Sequence, residues 1–379
     1  MKHAKSLTVI LLAVPLLVLL SVATSNAVGS YTQLPTITVP GDLASGNDIS
    51  WVDSVSQRYY VADRTTGSVD VIDADASKYL YSIKGFVGVG PSGKAGPDGV
   101  LTIGNELWAG DGNSTVKVAD LTQGAAATLF SINTGGTKRA DELAYDPLDH
   151  IILIANDRDA IPFISFISQT SRTILAQLPY PQTTGGIEQP VWDPIAQKFY
   201  LSIPSTIANP NGEVDELSAT TFKITRVFPV TCDGGGPAGL ALLPGERLMT
   251  SCGTVLDARS GRVLANVTNP FDGSAVSGDE IWYNPGDDRV YFGSANVAVV
   301  DASTYDLVRM SGSAVYFGLS TATIDTTPYQ VLTYFFPFPL PDTPPLGVTF
   351  GGHSVAANSS NNHIFVPVTG AGVKVFVKN

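Results

Sequence analysis

The chain is poor in the residues that most often carry chemistry. Among 379 residues there are two cysteines, four histidines and three methionines, and only 15% are charged. Each shortage excludes something. Cys232 and Cys252 form no C-x-x-C, so in an exported chain a disulfide between them takes precedence over a metal or redox site. Without the leader that carries His3, only His150, His353 and His363 remain, too few for an iron oxygenase that sets several histidines around one channel. His150 and His363 fall in or beside turns and read as solvated. No G-x-S-x-G elbow, H-E-x-x-H helix or glycine-rich phosphate loop occurs. Lysine and arginine gather in no stripe, which removes nucleic acid and anionic membrane as partners. Helical periodicity is absent beyond the leader.

That leader has Lys2, His3 and Lys5, an apolar run from Leu7 to Leu20, then Ser25-Asn26-Ala27, small residues where a signal peptidase reads. The run falls short of the roughly 20 residues a membrane-spanning helix needs. Residues 1–27 therefore read as a cleaved signal peptide and the mature chain, 28–379, as secreted or periplasmic, with no stable membrane insertion. The 22 Lys and Arg, less Lys2 and Lys5, then stand against 34 Asp and Glu, a mature net charge of about −14.

What the chain has is repetition. Five segments open with an ionisable residue, run through a short apolar strand to a turn, and return in a second strand: Asp48 (DISWVDSVSQRYYVAD), Asp141, Glu188, Asp279 and His353. Aligned on the turn residue (Asp53, Asp146, Asp193, Asn284, Asn358), the residue five places earlier is ionisable in all five. Looser copies open at Asp98 and Ala238. Third-strand phrases such as VDVIDAD and VAVVDAS follow, then a fourth strand. Four antiparallel strands per unit of about 40 to 50 residues is the pattern of a β-propeller blade. The last unit supplies only three strands, and an orphan strand, Pro35–Val39, follows the leader. Joined, they close an all-β, seven-bladed β-propeller and leave no open sheet edge, so a monomer is expected. One stretch, 311–350, breaks the rhythm between the sixth and seventh blades with an aromatic and proline-rich insertion, either a partner-binding lid or a variable loop packed on the blade flank.

Tyr60-Val61-Ala62-Asp63, Ile154-Ala155-Asn156 and the VIDA and VVDA phrases give the chain its family likeness. It resembles the YVTN-repeat, or YncE-like, seven-bladed propellers, within the broader group of quinoprotein and lactonase-type propellers, over roughly 46–310 and 351–379. The resemblance implies the fold; such folds carry many unrelated functions.

The innermost strand of a blade begins at the mouth of the central channel, so Asp48, Asp98, Asp141, Glu188, Ala238, Asp279 and His353 are expected to ring it. At about 8 Å and an effective dielectric near 20, each pair of carboxylates costs roughly 2 kcal/mol. Protonation or a bound cation would relieve this. Oxygen ligands favour a divalent Ca²⁺ or Mg²⁺, and His353 leaves room for Mn²⁺ or Zn²⁺. Asp48, Asp98, Asp141, Glu188 and Asp279 are the candidate metal ligands, His353 and Glu142 the candidate proton-moving residues. Gln189, Glu280 and Ser354 would support them. Lys138-Arg139 could hold a substrate carboxylate or simply solvate a loop. The acids are the wrong sign for a quinone polycarboxylate. Asp73, Asp120, Asp257 and Asp301, like Asp146 and Asp193 before proline, read as turn residues. Two functions follow. One is a metal-dependent hydrolase of lactonase type, or a lyase, acting on a small polar molecule; the other is a non-catalytic module that binds a ligand or a protein, with a structural acidic ring.

Overall fold

The computed structural model describes residues 31–232, 235–268, 273–294, 297–308 and 353–379. The leader and the 311–350 insertion lie outside these residues. The described residues form seven four-stranded antiparallel sheets, six of them meanders in sequence order and the seventh completed by the first strand of the chain. Their innermost strands are Asn47–Asp53, Val100–Ile103, Leu143–Asp146, Pro190–Asp193, Leu240–Leu243, Ile281–Asn284 and Ala356–Ala357. Each touches the inner strand before and after it, and the last touches the first, so the sheets stand as blades of a closed seven-bladed β-propeller. Among the described residues no helix is long and apolar enough to cross a membrane.

Local chemistry explains the meander. In five of the seven blades the first hairpin opens with Asp or Asn, whose side chain accepts backbone N–H groups of the turn: Asp53 from Val55 and Ser56, Asp146 from Leu148 and Asp149, Asp193 from Ile195 and Ala196. The fourth turn residue, such as Gln57, His150 or Gln197, takes a positive φ that returns the chain into the second strand. Asp73, Asp120, Asp257 and Asp301 do the same work at the third hairpin.

Closure differs in detail from the expected strand at 35–39. Tyr31–Gln33 is the outer strand of the seventh blade, with Tyr31 opposite Lys378 and Gln33 opposite Phe376. Of the Pro35–Val39 segment only Ile37 pairs, with Val373. Pro35 has no N–H to give, so the ladder lapses there and resumes once.

Apolar clusters fill the spaces between neighbouring blades. Tyr59 of blade 1 stacks on Phe365 of blade 7 at 4.6 Å, and Phe166 of blade 3 meets Phe199 of blade 4 at 6.2 Å. Trp51 of blade 1 and Trp282 of blade 6 meet edge to face at 5.2 Å. Blade 7 lies between those two in sequence order around the ring, and its inner strand contributes only the alanines Ala356 and Ala357. The Cys232–Cys252 disulfide is present and ties the segment entering blade 5 to the end of that blade's second strand.

Candidate functional site

Six of the seven ring positions lie two or three residues ahead of their strands, where the chain shares its hydrogen bonds between two blades; Asp48 alone lies within its strand. The Asp141 N–H bonds the Ala155 carbonyl of its own blade at 2.7 Å, while its carbonyl accepts the Gly99 N–H of the blade before at 3.1 Å. Likewise the Glu280 N–H reaches the His353 carbonyl at 3.1 Å and the Gln189 N–H the Ala238 carbonyl at 3.4 Å. Backbone carbonyls therefore hold the blades in register, and the ring side chains are left for other work. Gly99 and Gly239 are required here, because a Cβ would lie 2.4 Å from the next blade's carbonyl oxygen.

That other work is done with two partly buried arginines. Arg64 Nη2 lies 2.5 Å from Asp48 Oδ2 and also bonds Asp98 Oδ1. Arg139 grips Asp157 with both Nε (3.0 Å) and Nη2 (2.8 Å), and the same Nη2 lies 2.5 Å from Asp141 Oδ2. Its Nη1 lies 3.5 Å from Asp48 and 3.6 Å from Asp98. Asp98 and Asp141 are buried. Burial pushes both carboxyls up, and Arg64 at Asp98 and Arg139 at Asp141 pull them back. Guanidinium groups supply counter-charge at Asp48, Asp98 and Asp141, and burial still leaves the Asp98 and Asp141 carboxyls well up.

Among the described residues, no arginine pairs with the acids on the far side of the mouth. His353 Nδ1 lies 2.8 Å from Asp279 Oδ2, a half-exposed pair, and that hydrogen bond raises the imidazole above its ordinary value. Glu188 is pushed up to about 8 by burial and then by Asp157, against the pull of Arg139.

Arg64 and Asp157 were not found by the repeat pattern, which followed the inner strands alone. In a meander the second strand ends level with the start of the first, so the residue after YVAD and the one after IAN share the same face. Arg139 was seen, but with Lys138 as a loop pair; Lys138 instead turns to the Ser92 carbonyl at 3.2 Å.

Two groups of these acids bring ligand oxygens close enough to hold a metal ion. Oxygens of Asp48, Asp98 and Asp141 come within 4.8 Å of one another, but N–H groups of Arg64 and Arg139 already bind them. In the second group, Asp141, Asp157 and Glu188, both Asp157 oxygens and one of Asp141 are held by Arg139. Asp141 Oδ1 and Glu188 remain, and in the first group Asp98 Oδ2, like Asp141 Oδ1, is buried with no hydrogen-bond partner among the described residues.

One residue beyond Asp141 and Asp279 sit Glu142 and Glu280, 7% and 4% exposed. The Ser354 hydroxyl donates to Glu280 Oε2 at 3.2 Å and is itself 2.8 Å from Ser50 Oγ, while the Glu142 carboxyl is within hydrogen-bonding reach of Glu280. Gln189, expected beside them, turns its Oε1 to the Leu240 N–H at 2.6 Å. Burial first, then neighbouring carboxylates (Glu280 at Glu142; Asp48 and Asp279 at Glu280), push both carboxyls well up. A bond between two carboxyls needs a proton on one of them.

The two glutamates line a channel cavity of about 490 Å³. Its walls carry Trp51, Trp192, Trp282, Tyr145 and Tyr283, and it extends to Pro147 and Pro194 in the first-hairpin turns. Those prolines are exposed, whereas Glu142 and Glu280 are buried, so the cavity opens on the face opposite the ring acids. Its size is that of a small-molecule site.

No family model matches the chain, and no curated protein matches it. Solved structures do. The Pan2 WD40 domain of Neurospora crassa is similar at 11% identity and a TM-score of 0.60, over 93% of this chain and 96% of that one. Hydrazine synthase of Kuenenia stuttgartiensis is similar at 14% identity and a TM-score of 0.63, over 88% and 96%. At such identities the likeness is one of fold.

Proposed function

We propose that this protein is an exported, small-molecule-binding propeller of the YVTN-repeat type, in which the ring of acids is a structural plug and the channel beneath it is the ligand site. The signal peptide read at 1–27 and the YVAD-like phrases support export and the repeat type. The observation that carries the binding reading is the channel itself: about 490 Å³, open at one end, stopped at the other by buried ion pairs, with a carboxyl pair at its floor. Pockets of that size with apolar walls and a few convergent polar groups are where small ligands bind. The plug accounts for Asp48, Asp98, Asp141 and Asp157 without a metal, since each has an arginine. The hydrolase or lyase reading depends on a cation, and turnover abolished by chelation would restore it.

The test is thermal stabilisation of the mature protein across a small-molecule panel, repeated on Val191→Trp. Val191 lines the channel and is partly exposed to it. Ligands that raise the melting temperature of the wild type and not of Val191→Trp are the expected result. Equal stabilisation of both would move the site elsewhere.

A further inference from the structure

Resting on the channel as ligand site, we infer that its ligand is an amphiphilic organic cation, a compact amine or quaternary ammonium joined to an aromatic or alkyl body, with the cation at Glu280 and Glu142. Three independent features converge on this. First, Glu280 is 4% exposed and lines the cavity, yet apart from the Glu142 carboxyl its Oε1 has no hydrogen-bond donor among the described residues. Ser354 satisfies only Oε2. A carboxyl pair that shares one proton keeps a buried negative charge, costly unless a partner arrives, and the cavity is the side from which one can.

Second, no Lys, Arg or His lines the cavity among the described residues; its ionisable groups are the two glutamates and the phenols of Tyr145 and Tyr283. The arginines of the mouth are spent on Asp48, Asp98, Asp141 and Asp157. An anionic ligand would meet carboxyls with nothing to offset them, whereas a cation brings the missing charge and the missing donor together.

Third, the walls between floor and opening are aromatic. Trp51 and Trp282 meet edge to face, and Trp192 packs on Phe199 at 4.7 Å, so these rings are held in place before a ligand enters. Indole and phenol faces attract cations and bury apolar surface equally well. An ammonium headgroup at the floor with an apolar tail along the rings uses both ends of the cavity.

The experiment is calorimetric titration of the full mature chain with phenethylamine, benzyltrimethylammonium and hexyltrimethylammonium, against phenethyl alcohol and phenylacetate, which keep the ring and remove or reverse the charge. At least one cation is expected to bind tenfold or more tightly than both controls. Glu280→Gln and Glu142→Gln, each of nearly unchanged shape and checked for an intact thermal transition, are expected to weaken that cation tenfold and leave phenethyl alcohol unchanged. If phenethyl alcohol binds as well as the cations and Val191→Trp abolishes it, the channel binds ligands and the cation assignment is wrong. If neither the cations nor the controls bind, or Val191→Trp does not affect them, the channel reading fails with it.

Discussion

Removing the Arg139 guanidinium would leave Asp141 and Asp157 buried without their main counter-charge, since the bidentate bond to Asp157 and the 2.5 Å contact to Asp141 both go. Breaking one side of a buried pair costs about 3–5 kcal/mol. Arg139→Met is therefore expected to lower the urea midpoint steeply, whereas Arg58→Met, whose pair with Asp73 is partly exposed, should cost under about 1 kcal/mol. Equal costs would contradict a structural plug. Buried carboxyls elsewhere set the pH profile. Burial pushes Asp70 up to about 7, and burial together with Glu213 pushes Asp215 up to about 8. Each holds its proton in the folded state through a range where the unfolded chain, near pH 4, has already lost it. The folded state then binds more protons, so stability falls as pH rises, by about 1.4 kcal/mol per pH unit for each such group across the window from about 4 to 7 or 8. Glu188 adds to this in the same direction, and so does His353, whose raised value favours the folded state below its unfolded titration and is lost above. Melting temperatures measured from pH 5 to pH 8 are expected to fall, and to fall less in Asp70→Asn and Asp215→Asn; a rise across that range would overturn the assignment. The ring acids were legible because their fixed distance from a turn residue betrays a shared face. Arg64 was not, because an arginine after a strand carries no local signature until the meander brings it back to the axis.

At the scale of elements, the hairpins were the most readable feature. Asp or Asn followed by a tight return announces itself in the chain, and those side chains accept the turn N–H groups as the residue types require. The closing strand was legible as a need rather than as a place. Three strands in the last blade demand a fourth, but β-propensity pointed to PTITV, while the ladder uses Tyr31–Gln33 and only Ile37 beyond it. Proline outweighs the propensity of its neighbours there. The disulfide was legible from there being two cysteines behind a leader-like N-terminal sequence. Its sequence separation of 20 residues implies about 3 kcal/mol by chain-entropy reasoning. The Cys232→Ala/Cys252→Ala variant should lose about that much in urea denaturation. A loss confined to a few tenths would mean that the apolar packing around Cys232, buried among Leu240, Leu248 and Val230, holds the blade junction by itself.

The whole molecule separates two tasks that the sequence presents as one. Ring acids and the residues after them looked like a single site with an inner and an outer layer. In three dimensions they face different ways: Asp48, Asp98 and Asp141 belong to the arginine plug, and Glu142 and Glu280, one residue on, belong to the channel. Strand alternation puts consecutive residues on different sides, so a period read along the chain finds both sets without telling them apart. Fold was recoverable from repetition because seven copies of one meander have few ways to close; the aromatic walls were not, since Trp51, Trp192 and Trp282 read in sequence as ordinary inner-strand residues. Native mass spectrometry of the gently dialysed mature protein, with calcium and phenethylamine both supplied, tests this separation most directly. An organic-cation adduct that Val191→Trp loses, with no stoichiometric calcium, is the expected result. A single divalent cation per chain that Asp141→Asn abolishes, with no organic adduct, would contradict it and return the chemistry to the mouth.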